Sequence, residues 1–362
     1  MSKKYVNNSV FLFVLFALSS CSSESVFTAE VKEIVQPGEV VEITADRIET
    51  DHMYSQFFAV YDTLLISSCP NSSDYKFYVS DLTTNQLVGS FMRYGQGPDE
   101  YLGLTPIKRI ERKGDDLISL TYEPNRRQLI EWNITQSIEN GRDSILRIGY
   151  YQKPTDFYVT YSALYRIGKS EYLGYTPGEL NEENMFVPAY WILEGPNIEP
   201  VKSISFVKEL IPNPHSKVYD GNFFDSFTSL SPDNTKIVNA MEWLEQINII
   251  NLQNDSVASY RIEGSPDESI FRTKTGPVIY QYQGVVCDTN TIYALYFGEP
   301  SDMFKDLHGC YWVHEFDWNG NFKAKYHLPV PILSLWLDPS NNMLYGYNLE
   351  EDALYKLNVG SH

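Results

Sequence analysis

The clearest structural signal in the chain lies in residues 312–328, WVHEFDWNGNFKAKYHL. Two runs rich in aromatic and aliphatic residues, Trp312 to Phe316 and Phe322 to Leu328, flank the dipeptide Asn319-Gly320. Asn and Gly both tolerate positive φ, which a tight turn between antiparallel strands requires. The segment therefore predicts a β-hairpin.

This hairpin is the second half of a unit that recurs along the chain. In each copy, a strand, a tight polar turn and an apolar strand precede a loop and a further pair of strands. The first apolar residue after the tight turn recurs at intervals of 53, 55, 65, 55 and 52 residues. These six anchor residues are Leu64, Leu117, Tyr172, Ile237, Ile292 and Leu344. Six such units of four antiparallel strands are typical of a β-propeller.

The last unit lacks a fourth strand, and the N-terminal region offers one. After Leu344 only one further strand, Ala353 to Leu357, fits before the chain ends, while Glu39 to Ala45 has the alternating pattern of a strand. Closing the ring with this strand would remove an exposed edge. We therefore predict an all-β fold, a six-bladed β-propeller over residues 39–362 closed by an N-terminal outer strand. Two β-sandwich domains are the alternative, but they would need a linker, and no Pro, Gly or Ser-rich linker interrupts the units.

The first 20 residues predict a secretory signal peptide. Two lysines near the start are followed by Val10 to Leu18, which contains no polar residue, and by small serines before Cys21. The sequence Leu18-Ser19-Ser20-Cys21 resembles the lipobox of bacterial lipoproteins, in which cleavage precedes the cysteine and the thiol receives a diacylglyceryl group. The resemblance implies a cell-envelope protein, expected at the outer membrane, that partners the membrane through lipid on Cys21. An ordinary signal peptide with a coincidental cysteine is the alternative.

Residues 21–38 are expected to form a tether between the lipid and the propeller. They are mostly polar, contain Pro37 and show no regular pattern. Such a composition is typical of a flexible spacer.

The charge of the chain limits the class of partner. The chain has 28 basic and 47 acidic residues, and loss of Lys3 and Lys4 with the signal leaves 26 basic residues and a formal charge of −21. Binding to a phosphate backbone needs a basic surface, so nucleic acid is not expected as a partner. The acidity is interpreted as an aid to solubility.

Cysteine and histidine patterns predict no cofactor and no metal site. Beyond Cys21, the residues Cys69, Cys287 and Cys310 form no C-x-x-C motif, and the histidines form no H-x-x-x-H pair. One bridge between Cys287 and Cys310 is compatible with an oxidising compartment, but the apolar surroundings favour buried thiols. No G-x-S-x-G motif is present. Acidic residues in predicted loops keep calcium-assisted chemistry open, namely Glu123, Glu179, Glu299 and Asp302.

Loop length predicts which face of the propeller binds a partner. In a four-stranded blade, the connections between strands 2 and 3, and from strand 4 to the next blade, lie on one face, which we call the long-loop face. We call the opposite face the short-turn face. The long connections are 94–106, 176–188, 207–224, 264–278 and 298–309. Long loops in a compact domain are more often functional than decorative, so the binding region is predicted at the long-loop face and the channel mouth.

One of these loops begins with residues 95–101, GQGPDEY. The dinucleotide-binding pattern is excluded because Glu100 replaces its third glycine and no βαβ unit follows. The glycines either serve a turn with positive φ, with Pro98 starting a helical turn and Glu100 available to pair with Arg93, or the loop contacts a ligand directly.

The pattern Gly95-x-Gly97-Pro98-x-Glu100-Tyr101, together with the lipobox and the six units, resembles the TolB-like six-bladed propeller lipoproteins of Bacteroidota. The resemblance covers nearly all of the mature chain. It implies a propeller on the cell envelope with a mostly unassigned function, and it carries over no catalytic residue.

Candidate ligand-binding residues combine aromatic and charged groups in or near the long loops. They are Arg93, Glu100, Tyr122, Arg126, Arg127, Tyr175 and Trp243. Aromatic rings beside carboxylates and arginines suit sugars or peptides, whereas packing between blades and solvation are the alternative roles. The sequence thus favours an envelope lipoprotein whose propeller binds a peptide, glycan or protein partner. A calcium-assisted propeller hydrolase or lactonase and a structural scaffold of an envelope complex are the alternatives.

Overall fold

The computed structural model describes residues 25–50, 55–153, 161–180, 185–195, 197–209, 221–273, 279–300, 303 and 308–360. The predicted signal peptide and Cys21 lie outside the described residues, as does Asp302. In the described part of the chain, no helix has the length and apolar character needed to cross a bilayer.

Regular structure in the described residues is almost entirely β. The strands are β1 Val31–Ile34, β2 Val40–Glu42, β3 Ala45–Ile48, β4 Phe58–Tyr61, β5 Leu64–Ser68, β6 Tyr75–Asp81, β7 Gln86–Arg93, β8 Ile110–Lys113, β9 Asp116–Glu123, β10 Gln128–Asn133, β11 Ile145–Tyr150, β12 Ala163–Arg166, β13 Glu171–Thr176, β14 Glu179–Leu180, β15 Met185–Phe186, β16 Ala189–Glu194, β17 Glu199–Ile204, β18 Ser226–Leu230, β19 Lys236–Met241, β20 Gln246–Asn251, β21 Val257–Ile262, β22 Ile279–Cys287, β23 Thr291–Pro300, β24 Cys310–Asp317, β25 Phe322–Ile332, β26 Ser334–Asp338, β27 Met343–Asn348 and β28 Ala353–Leu357. The helical elements are α1 Ile134–Asn140, α2 Ile270–Thr273 and a 3₁₀ turn at Gly221–Phe224.

Six antiparallel sheets form the blades of a propeller. Blades 1 to 5 are β4–β7, β8–β11, β12-β13-β16-β17, β18–β21 and β22–β25, and blade 6 is β26–β28 with β3. Each anchor residue of the sequence repeat is the first or second residue of the second strand of its blade. The predicted six-bladed all-β propeller is confirmed.

Apolar and aromatic side chains fill the spaces between neighbouring blades. Trp132 of blade 2 is fully buried, and its ring stacks on Phe77 of blade 1 with centroids 4.8 Å apart. Similar clusters join blades 3 and 4, 4 and 5, and 5 and 6. Burial of large apolar side chains is the main term that holds such blades together.

The N-terminal segment forms a belt along the outer edges of three blades. Strand β1 pairs in parallel with β21 of blade 4, β2 pairs in parallel with β25 of blade 5, and β3 pairs antiparallel with β28 of blade 6. Closure by an N-terminal strand is therefore confirmed. The residues assigned to that strand were wrong, because Val40–Glu42 adds to blade 5 and Ala45–Ile48 completes blade 6.

The described part of the expected tether is not a free spacer. Val26 and Phe27 are each 1% exposed, packed among residues of blades 3 and 4. Lys208 N donates to Val26 O (2.7 Å), and Thr28 N donates to Phe206 O (3.0 Å). These bonds lie where the chain leaves β17 toward the long-loop face. The expectation of a flexible spacer through residue 38 is corrected here, since the chain is fixed to the propeller from about Val26 onward.

Candidate functional site

The innermost strand of each blade lines a central channel that contains two cavities. The upper cavity, of about 330 Å³, lies toward the long-loop face and is lined mainly by residues at or near the starts of these strands, such as Phe58, Ala163 and Phe227, and also by Tyr175 of β13 and Gln283 of β22. The lower cavity, of about 450 Å³, lies toward the short-turn face and is lined by their ends and by turn residues such as Pro232 and Pro339. Volumes of 300 Å³ or more are in the range of ligand pockets.

An arginine crosses the channel on the short-turn side. Arg109, which precedes the inner strand of blade 2, donates from Nη2 to Pro232 O (2.8 Å) and from Nη1 to Asn234 Oδ1, both in a turn of blade 4. Its Nε also lies 3.6 Å from the Glu111 carboxylate. Because blade 3 lies between these two blades, the side chain narrows the lower mouth of the channel.

Lys108 lies at the waist of the channel and lines both cavities. Its side chain is accessible inside the channel, and it makes no hydrogen bond or ion pair with any described residue. The surrounding walls lower the pKa of Lys108, because enclosure disfavours the charged form. Lys108 is also the one charged side chain among the described residues that line the upper cavity.

A third depression, which we call the side groove, lies on the long-loop face between blades 6 and 1. It has a volume of about 510 Å³, and its lining includes Tyr78, Tyr347 and Leu349. Gln56 and Phe57 line both the side groove and the upper cavity. The Phe57 side chain is 40% exposed. The side groove and the upper cavity are therefore adjacent, with Gln56 and Phe57 on their common border.

Of the seven candidate ligand-binding residues, Tyr175 is the one that lines the channel. It is 3% exposed, and its hydroxyl lies 2.8 Å from Ser226 Oγ. Tyr122 is buried between blades 2 and 3, where its hydroxyl donates to Tyr161 O (2.6 Å). Burial raises the pKa of Tyr122 and Tyr175 above the ordinary range, so both remain neutral donors. The ring of Tyr122 therefore packs between blades and does not lie on the loop surface.

The loop at residues 95–101 is held by its own hydrogen bonds. The Glu100 carboxylate accepts from Gly97 N (2.9 Å), and Glu100 N donates to Gly97 O (3.2 Å). A Cβ on Gly95, which has φ +155°, would lie 2.0 Å from the same carboxylate. Glu100 thus serves the turn through Gly97, rather than through Arg93, and its close approach requires glycine at position 95.

Arg126 ties this loop to blade 2. Its Nη1 donates to Glu100 O (2.9 Å) and lies 3.4 Å from the buried Glu123 carboxylate, which also accepts from Leu102 N (2.9 Å). Arg93 and Arg127 have exposed side chains at the end of β7 and in the β9–β10 turn. The structure joins Glu100 and Arg126 in one structural network and does not bring the seven candidates to a single site.

Trp243 lies on the long-loop side of blade 4 beside two carboxylates. Its ring packs on Tyr280 with centroids 4.5 Å apart, and its Nε1 is shielded from solvent with no described hydrogen-bond partner. Burial raises the pKa of Asp225 to about 6, and burial with repulsion from Asp225 raises that of Glu242 to about 7. Glu242 N donates to Asp225 O (2.9 Å), which fixes the two residues as neighbours.

This acidic pair makes a testable contribution to pH-dependent stability. Both folded-state pKa values lie above the ordinary values of 3.8 and 4.5, so the native state binds protons more tightly than the unfolded state. The resulting stabilisation of the native state is fully present below about pH 4, and it is lost as the two carboxyl groups ionise between pH 6 and 7. We expect the Asp225→Asn/Glu242→Gln variant to have a higher Tm than the wild type at pH 8 but not at pH 4.5.

Thermal melts at the two pH values check this prediction, with the exposed Glu263→Gln of the same blade as the control. A difference in Tm between the double variant and the wild type that stays constant across this range would contradict it.

The residues considered for calcium chemistry do not converge in the described structure. Glu123 lies in the network around the 95–101 loop, and Glu299 is exposed on β23, while the side chain of Glu179 lies outside the described residues. Within the described ranges, no three His, Cys, Asp or Glu side chains group closely enough to hold a metal ion.

The three described cysteines and the buried His314 pack within the propeller. Cys69, Cys287 and Cys310 form no disulfide with one another, and burial raises the pKa of Cys287 to about 12. The favoured interpretation, in which no bridge joins Cys287 and Cys310, agrees with this. His314, buried in β24, lies 3.3 Å from the Tyr282 hydroxyl, and burial lowers its pKa well below the usual value.

Comparison with known families identifies the family to which this propeller belongs. A family model described as TolB-like 6-blade propeller-like matches residues 56–338. The chain belongs to this TolB-like propeller family. The match starts at Gln56, at the junction of the upper cavity and the side groove, and it includes all six anchor residues except Leu344.

Solved structures share the fold at low identity. A protein described as exported, from Bacteroides fragilis, is 10% identical, with a TM-score of 0.50 over 91% of this chain and 99% of its own. Regucalcin, a calcium-binding protein from Agrobacterium tumefaciens, is 10% identical, with a TM-score of 0.45 over 89% of this chain and 96% of its own. Streptogramin B lyase is 8% identical, with a TM-score of 0.45 over 88% and 98%. The likeness to the Bacteroides fragilis protein shows the propeller fold alone. No curated protein matches the chain in sequence.

Proposed function

We propose that this TolB-like propeller is a lipid-anchored binding protein of the cell envelope, expected at the outer membrane. Its ligand is a short segment of peptide or glycan that lies along the side groove and enters the upper cavity past Phe57. The observation that carries the proposal is that these two depressions are adjacent and share Gln56 and Phe57, of which Phe57 is 40% exposed. Together they offer a track longer than either depression alone.

A ligand is expected to enter the channel from the long-loop face, because the lower mouth of the channel is obstructed. Arg109 crosses that mouth to Pro232 and Asn234, and the two hydrogen bonds to blade 4 hold it there. No comparable bridge between blades crosses the upper cavity among the described residues. A ligand therefore meets the less obstructed entrance on the side where the long loops lie.

The chemistry of the track suits an extended polar chain with apolar or ring-shaped parts. Phe57 and Tyr78 present aromatic surface, and Gln56 and Gln283 contribute amides to the lining. Aromatic faces stack on sugar rings and apolar side chains, while amides bond to hydroxyl and peptide groups. The narrow cavities fit a chain segment better than a globular protein surface.

The anchor and the side groove lie on opposite sides of the ring. The chain is fixed to the propeller at Val26 and Phe27, beside the junction of blades 3 and 4. In a ring of six blades this junction is diametrically opposite the junction of blades 6 and 1, where the side groove lies. A lipid on Cys21 would hold one edge of the long-loop face near the membrane and leave the groove at the far edge.

Filling the upper cavity is expected to abolish ligand binding. Ser162 is exposed and lines the cavity, so Ser162→Trp would occupy its space. Ser170→Trp, at an exposed turn on the short-turn side of the same blade, is the matched control. A panel of tetrapeptides and trisaccharides is screened by thermal shift, and hits are measured by calorimetry.

We expect hits to bind the wild type and Ser170→Trp with equal affinity and to bind Ser162→Trp at least tenfold more weakly. Equal affinity for all three proteins would place the binding site elsewhere. Absence of any hit from both classes would contradict the proposed function.

A further inference from the structure

The upper cavity contains a positive charge that no described group neutralises. Among its lining residues Lys108 is the single charged side chain, and it pairs with no described acceptor. The Lys108 side chain is accessible inside the channel, so its ammonium group can be reached by a ligand. The enclosure lowers the pKa of Lys108, as expected for an ammonium group without a counter-ion.

The other cations near the channel are already engaged. Arg109 is bonded to Pro232 O and Asn234 and lies beside Glu111, and Arg112 Nε donates to Gly114 O (3.1 Å). Both line the lower cavity, and neither lines the upper one. Lys108 is thus the cation left for a ligand that arrives from the long-loop face.

We propose that Lys108 binds a carboxylate at the leading end of the ligand, an inference that rests on the proposed function of the upper cavity. The carboxylate would enter past Phe57 and stop at the waist of the channel, where Lys108 Nζ donates to it. The Ser229 hydroxyl accepts from Cys287 Sγ (3.2 Å), lines the same wall, and can donate its own proton to the second oxygen of the carboxylate. The amide of Gln283 lies on the same wall, and its nitrogen is shielded from solvent with no described acceptor.

A carboxylate fits this site better than a phosphate group. One ammonium group balances one negative charge, whereas phosphate carries more charge and is usually held by several cations or an arginine fork. The upper cavity has no second cation among its described lining residues. A peptide C-terminus and an acidic sugar both present this group to Lys108, and the probes below distinguish the two sources.

Matched ligands that differ only in charge test the assignment. The probes are tetrapeptides with a free C-terminus or a C-terminal amide, and trigalacturonate or its methyl ester. We expect the acid form of one pair to bind the wild type at least tenfold more tightly than its neutral form. In Lys108→Gln this ratio should fall to within about twofold, because the ion pair is lost while neutral contacts remain. Whichever pair shows the preference identifies the source of the carboxylate.

Arg112→Gln, which removes a cation from the lower cavity, is the matched control and should keep the wild-type ratio. A second readout is the NMR signal of ¹³C-dimethylated Lys108, whose pKa should rise when the acid ligand binds. An unchanged acid-to-neutral ratio in Lys108→Gln would overturn the inference. Stronger competition by inorganic phosphate than by acetate would also overturn it. If binding is lost in Ser162→Trp but the ratio is unchanged in Lys108→Gln, the proposed function stands and this inference alone fails.

Discussion

A chain that begins at Glu49 is expected not to fold as a monomer, whereas one that begins at Pro37 should fold with a lowered Tm. The longer truncation removes β2 and β3, and with them the outer strand of blade 6. It also removes Ile43, which is 8% exposed, and Ile48, which packs against the cluster of blades 6, 1 and 2. Burial of two isoleucines and the hydrogen bonds of β3 together contribute about 5 kcal/mol.

The shorter truncation loses Val26, Phe27 and β1 but keeps the ring closed. Two buried side chains of this size contribute about 3 to 6 kcal/mol, which lowers Tm by roughly 10 °C in a protein of this length. The chain that begins at Glu49 also loses the contribution of β3 and the two isoleucines, which brings the total loss of folding free energy to about 10 kcal/mol. This is comparable with the whole stability of a domain. It also exposes the apolar edge of β28, so aggregation is expected.

Size-exclusion chromatography and thermal melts of chains beginning at Ser25, Pro37 and Glu49 check this prediction. The chain from Pro37 is the control for general effects of truncation, since it retains the closing strand. A monomeric chain from Glu49 with the Tm of the chain from Pro37 would show that β3 does not close the ring.

The closure itself illustrates what sequence pattern can and cannot specify. The six anchors are recognisable because each second strand is rich in buried residues and follows a short polar turn, a local signal that is present in every blade. Residues 39–45 alternate as a strand should, yet Val40–Glu42 and Ala45–Ile48 pair with different blades. An outer strand shows the same period whichever edge it covers, so the choice of blade depends on contacts distant in sequence.

The candidate site was harder to predict for a related reason. Tyr122 and Tyr175 follow the pattern of aromatic residues near long loops, but their hydroxyls bond to Tyr161 O and Ser226 Oγ inside the ring. Lys108 belongs to no motif, so the sequence alone does not distinguish it from other lysines. Its position just before the innermost strand of blade 2 becomes informative only when the blades close around a common channel. A lysine at the start of an innermost strand is the signal that could have identified it.

Cys21→Ala is expected to abolish attachment to the membrane without changing Tm. Lipid on Cys21 is the predicted anchor, whereas the folded belt begins near Val26. The substitution should therefore remove the lipid without disturbing the belt. Lipidation is measured by incorporation of a palmitate analogue, and membrane affinity by partition into Triton X-114. Cys69→Ala is the control, which should keep both the label and the partition into detergent. A Cys21→Ala protein that still carries label or enters the detergent phase would contradict the predicted anchor.

The same anchor should orient the propeller on the membrane. Val26 lies five positions after Cys21, a reach of at most about 18 Å, and it lies beside Lys208 on the long-loop side of blade 3. A fluorophore on Glu209→Cys should therefore be quenched by headgroup-labelled lipid more strongly than one on Ser170→Cys, at the short-turn side of the same blade. Equal quenching at the two positions would mean that the short spacer does not orient the ring. Stronger quenching at position 209 would place the lipid at the opposite edge from the side groove, so that anchoring and ligand entry use different parts of one face.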